Sequence, residues 1–233
     1  MKWKIGQQQF VTLREISRDS GISIESLRLS RNSNNEESLS RKLKTQFVKS
    51  SSLTREEMID LFDQLVLTPE EKIIEEALNK IDSKIKRIAP ISSQKSKYLS
   101  DSRGGFLVLL ADGKRVPIGS MGDGIWRILG LALAIVSAKD GYLFVDEIDT
   151  GLHFTAMSDM WKMIWDTAKR LNVQVFATTH NSDCWKSLAD IAQQENITDD
   201  GIRIHRIEKG KEKSIVFNEA QIVIAAEREL EVR

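Results

Sequence analysis

The segment Tyr142–Val145 places four apolar residues directly before two adjacent carboxylates, Asp146 and Glu147. A short continuous apolar run is typical of a strand that is covered on both faces of a parallel sheet. The carboxyl ends of such strands open onto the crevice where ligands bind. Because side chains alternate along a strand, one carboxylate can hold Mg²⁺ while the other activates a water for attack on a γ-phosphate. The alternative is a strand that simply ends in a polar turn.

A second apolar run, residues 173–177, is followed by Thr178, Thr179 and His180. We expect this run to form another strand of the sheet, so that His180 also leaves a strand at its carboxyl end. An imidazole at that position can hydrogen-bond a terminal phosphate oxygen and sense whether the phosphate is present. A lone histidine of this kind is more often found at a helix N-terminus or at the edge of the core, and this alternative stays open.

Residues 120–124 have the sequence Ser-Met-Gly-Asp-Gly and stand directly before an apolar helix predicted to start at Ile125. Glycines allow a close backbone approach to a ligand, and the N–H groups at a helix start favour an anion. Ser120 adds a hydroxyl donor. The alternative is a local role in which Asp123 is the helix N-cap, and that role is compatible with anion binding.

The order of elements from Gly122 onward indicates an α/β fold, in which a parallel sheet is flanked by helices. We predict helices over residues 123–138, 152–170 and 182–194, with strands between them at 142–145 and 173–177. Residues 202–217 are predicted to form a C-terminal β-hairpin at the edge, followed by a helix from Glu219.

Two amphipathic helices are predicted earlier in the chain from their start signals. Thr54 followed by Glu57 forms a capping-box pattern, and Thr68 followed by Glu71 repeats it. A hairpin is predicted over residues 106–118, with its turn at Asp112 and Gly113.

Two polar runs, residues 30–41 and 92–103, have almost nothing to bury and are expected to be exposed loops. We divide the chain into an irregular or strand-rich N-terminal segment, residues 1–53, and a core over residues 54–233. Within that core we expect a helical part at 54–90 and a second part at 104–233.

The charge balance excludes a protein that binds nucleic acid or anionic lipid by its bulk field alone, because 34 Lys and Arg offset 34 Asp and Glu. The longest apolar run, residues 128–136, is well short of the ~18 to 20 residues that cross a bilayer.

The chain start has no apolar stretch of a secretory signal, and the single Cys184 cannot form an internal disulfide. No zinc-ligand spacing links it to the three histidines, His153, His180 and His205. We therefore expect a cytoplasmic protein with no membrane segment.

Together, residues 120–124, 142–147 and 178–180 resemble the C-terminal half of an ABC-type or AAA-type ATPase head of the P-loop NTPase class. Such heads are found in RecF-like, SMC-like and OLD-like proteins. The resemblance covers about residues 54–233. The motifs SMGDG and DEIDTGLH are closer to those of the OLD-like group than to those of ABC transporters. It implies a partial P-loop NTPase fold with an extra N-terminal helical segment.

The resemblance also implies a role for each matching residue. Asp146 corresponds to the magnesium carboxylate of the Walker B strand, Glu147 to the general base and His180 to the switch histidine. The signature loop, which in the family reaches across a dimer to the other subunit's nucleotide, is matched by Ser120, Gly122, Asp123 and Gly124. The D-loop is matched by Asp149, Thr150, Gly151 and His153. His153 could face a partner subunit or simply be exposed.

One family motif is missing, since no G-x-x-x-x-G-K-[ST] loop occurs in the 233 residues. The backbone cradle and lysine that hold the β- and γ-phosphates are therefore not supplied by this sequence. We expect an ATPase head portion that uses ATP and Mg²⁺ to open and close a dimer, completed by a Walker A lobe that another chain could carry. The expected partner is a second head, in a homo- or heterodimer, and DNA or a nuclease is a further candidate. The alternative is a degenerate, non-catalytic ATPase remnant that acts as an interaction module.

Overall fold

The computed structural model describes residues 2–5, 8–11, 44–91, 105–194, 201–230 and 232. The chain divides into two compact units, residues 1–42 and 43–233. In the first unit, β1 (Lys2–Ile5) pairs antiparallel with β2 (Gln8–Val11). The loops predicted at residues 30–41 and 92–103 lie outside the described residues.

The larger unit contains strands and helices that follow one another in this order: β3 (Thr45–Val48), α1 (Arg55–Asp63), α2 (Pro69–Ile81), β4 (Ile85–Pro90), β5 (Phe106–Leu110), β6 (Arg115–Pro117), α3 (Asp123–Ser137), β7 (Tyr142–Val145), α4 (Met157–Leu171), β8 (Gln174–Ala177), α5 (Ser182–Gln194), β9 (Ile204–Arg206), β10 (Ile215–Phe217) and α6 (Glu219–Glu227). A 3₁₀ turn precedes α3, and a second one, Phe154–Ala156, precedes α4. That second turn is why α4 begins later than the predicted residue 152.

A parallel sheet with the strand order β3-β7-β8 lies at the centre of the larger unit. Its register pairs Val48 with Val145 and Val145 with Ala177, so the three strands end at one edge. Helix α3 packs in the core and is buried from Trp126 to Ser137. The predicted α/β class, with a parallel sheet flanked by helices, is confirmed. The division between the two units lies after residue 42, and β3 belongs to the sheet of the larger unit.

In the described part of the chain, one face of this sheet is covered much better than the other. Leu143 and Val145 are buried, whereas Phe47 is 58% exposed and Phe176 is 45% exposed. The rings of Phe144 and Phe176 stack on the open face, with centroids 5.0 Å apart and planes 9° from parallel. The prediction that β7 and β8 are covered on both faces is therefore wrong for the described residues.

Both predicted helix starts are present, but they are capped differently. At α1 the Thr54 hydroxyl accepts the Glu57 N–H at 3.2 Å, and Glu57 Oε2 accepts the Thr54 N–H at 2.8 Å, so the capping box is confirmed. At α2 no such box forms. The Thr68 hydroxyl instead donates to the Leu65 carbonyl at 2.6 Å, because the chain turns tightly just before the helix.

The predicted hairpin is confirmed as β5 and β6, which pair antiparallel. It is joined on its other side by β4, at the end of the part that we predicted to be helical. Ile85 and Ile88 of β4 are both buried although they are three residues apart, because a register irregularity between Ile85 and Arg87 interrupts the strand alternation. That helix-like spacing concealed the strand.

The predicted C-terminal hairpin is present, as β9 paired antiparallel with β10. Its predicted place at the edge of the parallel sheet is wrong, because the two strands form a separate two-stranded sheet. Helix α6 follows it and starts with a capping box formed by Asn218 and Gln221. Among the described residues, no helix is both long enough and apolar enough to span a membrane.

Candidate functional site

Thr178 joins the ends of the neighbouring strands β7 and β8. Its hydroxyl donates to Asp146 Oδ1 at 2.8 Å and accepts the Glu147 N–H, also at 2.8 Å. The backbone continues the ladder beyond the strands, because the Ile148 N–H donates to the Thr178 carbonyl at 3.0 Å. The two carboxylates are therefore carried on a segment that is fixed to the adjacent strand.

Glu147 has an unusual backbone, with φ at 45° in the left-handed region. For a residue other than glycine this conformation costs about 1–2 kcal/mol, so neighbouring bonds must hold it in place. The Glu147 carboxylate is oriented as well, since the Thr150 hydroxyl donates to its Oε2 at 3.2 Å. The chain thus turns sharply after the strand, and the Glu147 side chain takes a different direction from that of Asp146.

Glu147 and His180 line one cavity of about 540 Å³ at the sheet edge. The full lining consists of Glu147, Asp149, Thr150, His180, Asn181, Ser182 and Asp183. Asp146 is not part of this lining, and one of its carboxylate oxygens is bonded to Thr178. The structure therefore brings the residues predicted as general base and switch histidine into one cavity. Asp146, which precedes Glu147 in the chain, does not line that cavity.

The segment that carries His180 is held on both sides of the imidazole. The Thr179 hydroxyl donates to Asp149 Oδ1 at 2.6 Å and accepts the Asn181 N–H at 3.0 Å. Asn181 Oδ1 in turn accepts the Asp183 N–H at 2.9 Å. His180 itself is exposed, so the backbone on both sides of it is fixed while its imidazole is accessible to a ligand.

The predicted signature loop lies at the start of α3 and outside the cavity lining. Ser120 is exposed, and its hydroxyl donates to the Pro117 carbonyl at 2.7 Å. Gly122 has φ at 95° and occupies the N-cap position, whereas Asp123 is the first helical residue. The alternative in which Asp123 is the N-cap is therefore wrong. Gly122 is the residue whose positive φ allows the 3₁₀ turn to lead into the helix.

The predicted D-loop lies against the signature loop of the same chain. A methyl group added at Gly124 would lie 3.6 Å from Leu152 Cδ2 and 3.8 Å from the Gly151 carbonyl oxygen, so the two loops approach closely. Gly151 makes its own turn with φ at 79°. His153 is exposed, and its Nδ1 lies 3.0 Å from the Thr155 hydroxyl oxygen.

Two residues that hold the site together, Arg127 and Thr178, are not given a role by the sequence patterns. The guanidinium of Arg127 is buried and donates to the carbonyls of Lys49 at 2.9 Å, Asp146 at 3.2 Å and Glu147 at 3.0 Å. Burial lowers the pKa of Arg127, and the nearby carboxylates oppose this shift. The signal that could have revealed it is a lone charge within the apolar part of α3, which follows Gly124.

The donor set of the site fits Mg²⁺ only if the substrate supplies ligands too. Among the described residues, no group of three or more His, Cys, Asp or Glu side chains could hold a metal ion. Mg²⁺ is usually held by one or two carboxylates together with substrate phosphates and water. Asp146 and Glu147 at the strand end provide carboxylates of this kind.

Two curated relatives match part of the chain. An ATP/GTP phosphatase of Helicobacter pylori is 29% identical over 86 residues, which is 36% of this chain and 23% of that protein. An uncharacterized protein of Methanocaldococcus jannaschii is 34% identical over 77 residues, which is 33% of this chain and 68% of that protein. The match thus spans less than a quarter of the length of the Helicobacter protein.

Solved structures of SMC ATPases also match. One, described for ATP-driven dimerization and DNA-stimulated activation, has a TM-score of 0.45 and 15% identity, and covers 77% of this chain and 99% of that one. The SMC head domain from Thermotoga maritima has a TM-score of 0.45 and 11% identity, with 73% of this chain and 52% of that one covered.

A family model described as an AAA ATPase domain matches residues 14–184, which is well over half of the chain. The matched range includes the predicted signature loop, the strand β7 with Asp146 and Glu147 after it, and His180. The predicted resemblance to an ATPase head is therefore confirmed, and the chain belongs to the AAA ATPase domain family.

Proposed function

We propose that this chain is the C-terminal portion of an ATPase head, in which ATP hydrolysis opens and closes a dimer. The observation that carries this proposal is that Glu147 and His180 line one cavity at the ends of two adjacent parallel strands. A general base and a phosphate-sensing group must reach the same γ-phosphate, so they must share one cavity.

Glu147 acts as the general base. Its carboxylate accepts a proton from the water that attacks the γ-phosphate, and the bond from Thr150 holds the carboxylate in one orientation. His180 donates a hydrogen bond to a γ-phosphate oxygen. Asp146 would hold Mg²⁺ together with phosphate oxygens, and the ion would supply positive charge to neutralise those oxygens.

The signature loop acts in trans, on the nucleotide of a second head. Ser120, Gly122 and Asp123 are exposed and lie outside the cavity of their own chain, so they are accessible to a partner subunit. The D-loop beside them contacts the same partner and connects that contact to Glu147, because the Thr150 N–H donates to the Glu147 carbonyl at 3.0 Å. Nucleotide binding closes the dimer, and γ-phosphate cleavage loosens it.

A lobe that carries the Walker A loop completes the site. Two observations support this part of the proposal: the sequence contains no G-x-x-x-x-G-K-[ST] loop, and the sheet presents an open aromatic face formed by Phe47, Phe144 and Phe176. Large exposed apolar patches mark interaction sites in soluble proteins. A polypeptide encoded next to this chain is the source to examine first, and DNA or a nuclease subunit is the client class that the family resemblance implies.

The test is ATP turnover by the 233-residue chain, alone and mixed with a neighbouring polypeptide that carries a Walker A loop. We expect the mixture to hydrolyse MgATP and the chain alone to do so poorly, with binding weaker than micromolar in calorimetry. Micromolar binding by the chain alone would contradict the separate lobe. A mixture that assembles without turnover would contradict the ATPase and leave the alternative, a non-catalytic interaction module.

A further inference from the structure

Arg127 is the one charged side chain that is buried in the described part of the chain, with 3% exposure. A buried charge is costly unless hydrogen bonds compensate for its lost hydration. Here the compensation comes from three backbone carbonyls and from no carboxylate oxygen within hydrogen-bond distance. The Arg127 Nε has no hydrogen-bond partner among the described residues. All three bonds therefore come from the two terminal nitrogens, Nη1 and Nη2, which form a planar fork at the end of the guanidinium.

The three carbonyls belong to the ends of two neighbouring strands. Nη1 reaches Lys49, directly after β3, and Nη2 reaches both Asp146 and Glu147, directly after β7. Successive carbonyls point to opposite sides in an extended strand, so two of them can converge on one nitrogen only where the backbone turns. The positive φ of Glu147 provides that turn.

We propose that Arg127 is a positioning residue for Glu147. By binding the carbonyls on both sides of the Glu147 Cα, Arg127 holds the left-handed backbone that directs the carboxylate into the cavity. This inference rests on the proposed function, in which Glu147 is the general base. Arg127 also follows Gly124 by one helical turn, so the same side chain ties the start of α3 to the catalytic segment.

The first test is hydrogen exchange of the backbone amides of Glu147 and Ile148 in the full chain without nucleotide. Arg127→Lys keeps the positive charge but replaces the fork by a single nitrogen. We expect these amides to exchange roughly tenfold faster in this variant, because the turn loses its carbonyl bonds. The control is Arg170→Lys on α4, whose side chain is exposed and bonded to Glu76. Unchanged exchange in a folded Arg127→Lys chain would overturn the proposal.

A second measurement needs no variant and covers the case in which Arg127→Lys does not fold. Nitrogen NMR of the wild-type guanidinium groups should show distinct, slowly exchanging Nη signals for Arg127, because both Nη atoms are fixed. Arg170 should show averaged signals. Averaged signals for Arg127 would contradict the proposal.

The third measurement connects Arg127 to catalysis in the completed head. Arg127→Lys should lower kcat for ATP by roughly tenfold or more, with KM changed less than about threefold, because the base is misplaced while nucleotide contacts remain. A KM that rises by the same factor as kcat falls would contradict a positioning role. If the wild type does not turn over ATP, the proposed function is contradicted but the positioning role of Arg127 is not. That role is tested without nucleotide, by amide hydrogen exchange and by the nitrogen NMR measurement.

Discussion

The Thr178 hydroxyl binds both parts of the acidic pair, donating to the Asp146 carboxylate and accepting the Glu147 N–H, each at 2.8 Å. One side chain that directly follows β8 therefore bonds to both residues that directly follow β7. This bond crosses between two strands that are paired in register, so neither strand end can move without the other.

Thr178→Val should weaken the fold and the site together. Valine keeps the shape of threonine but leaves the Glu147 N–H and the Asp146 carboxylate without this partner. Because the position is exposed and water can replace part of the bonding, we expect a loss of about 1 kcal/mol in the free energy of unfolding. Urea titration measures it, with Thr178→Ser as the matched control. Equal stability of the Val and Ser variants would show that the hydroxyl does not hold the strand end.

Thr179→Val should release the segment that carries His180. The Thr179 hydroxyl links Asp149 to the Asn181 N–H, so its removal frees the backbone on both sides of the imidazole. We expect the Asn181 amide to exchange with solvent several-fold faster, while amides at the buried centre of α3 keep their protection. Thr179→Ser should behave as the wild type. An Asn181 amide that exchanges equally in all three chains would rule out this link.

The Cys184 thiol should be unreactive while the chain is folded. Burial raises its pKa to about 12, above the ordinary value of 9.0. The thiolate is the reactive form, so alkylation by iodoacetamide at pH 8 should be at least 100-fold slower than in urea-unfolded chain. Rapid alkylation of the folded chain would contradict this.

The same shift predicts how stability depends on pH. The unfolded chain loses the thiol proton first, so the contribution of Cys184 is complete below pH 9.0 and is lost as pH rises toward about 12. The free energy of unfolding should therefore fall more steeply in this range for the wild type than for Cys184→Ala. Parallel pH curves for the two chains would show that the thiol is not the cause.

Substitutions on the two faces of the central sheet should have very different effects. Leu143→Ala removes a fully buried side chain and should cost about 2–5 kcal/mol of unfolding free energy. Phe176→Ala removes a side chain that is 45% exposed, together with its stacking on Phe144, which is worth about 0.5–1.5 kcal/mol, and should cost less than Leu143→Ala. Denaturant titration of the chain alone separates the two cases, whereas in the completed head Phe176→Ala should also weaken binding of the lobe. Similar costs in the isolated chain would mean that the aromatic face is already covered.

The parts of the fold that could be predicted from sequence are those in which local pattern and tertiary structure agree. The apolar runs that precede Asp146 and Thr178 predicted two parallel strands that end at a common edge. The strand Ile85–Pro90 was missed because its register irregularity buries residues at helical spacing.

The supporting bonds of the site could not be predicted, because they join residues that are distant in the chain. The Lys49 carbonyl bound by Arg127 lies 78 residues earlier, and Thr178 lies 32 residues after Asp146. Hydrogen bonds between such distant residues leave no periodic pattern in the sequence. The exposure of the aromatic face could not be predicted either. An apolar run has the same sequence pattern whether its own chain or a partner covers it.

The most direct test of the account is steady-state MgATP turnover by the completed head with Glu147→Gln. Glutamine keeps the size of the side chain and removes its ability to accept a proton. We predict a loss of at least 100-fold in kcat, with the nucleotide-bound dimer persisting in size-exclusion chromatography. Glu212→Gln, at an exposed carboxylate on the C-terminal hairpin, should turn over ATP as the wild type does. Turnover by Glu147→Gln equal to that of wild type and Glu212→Gln would contradict the account.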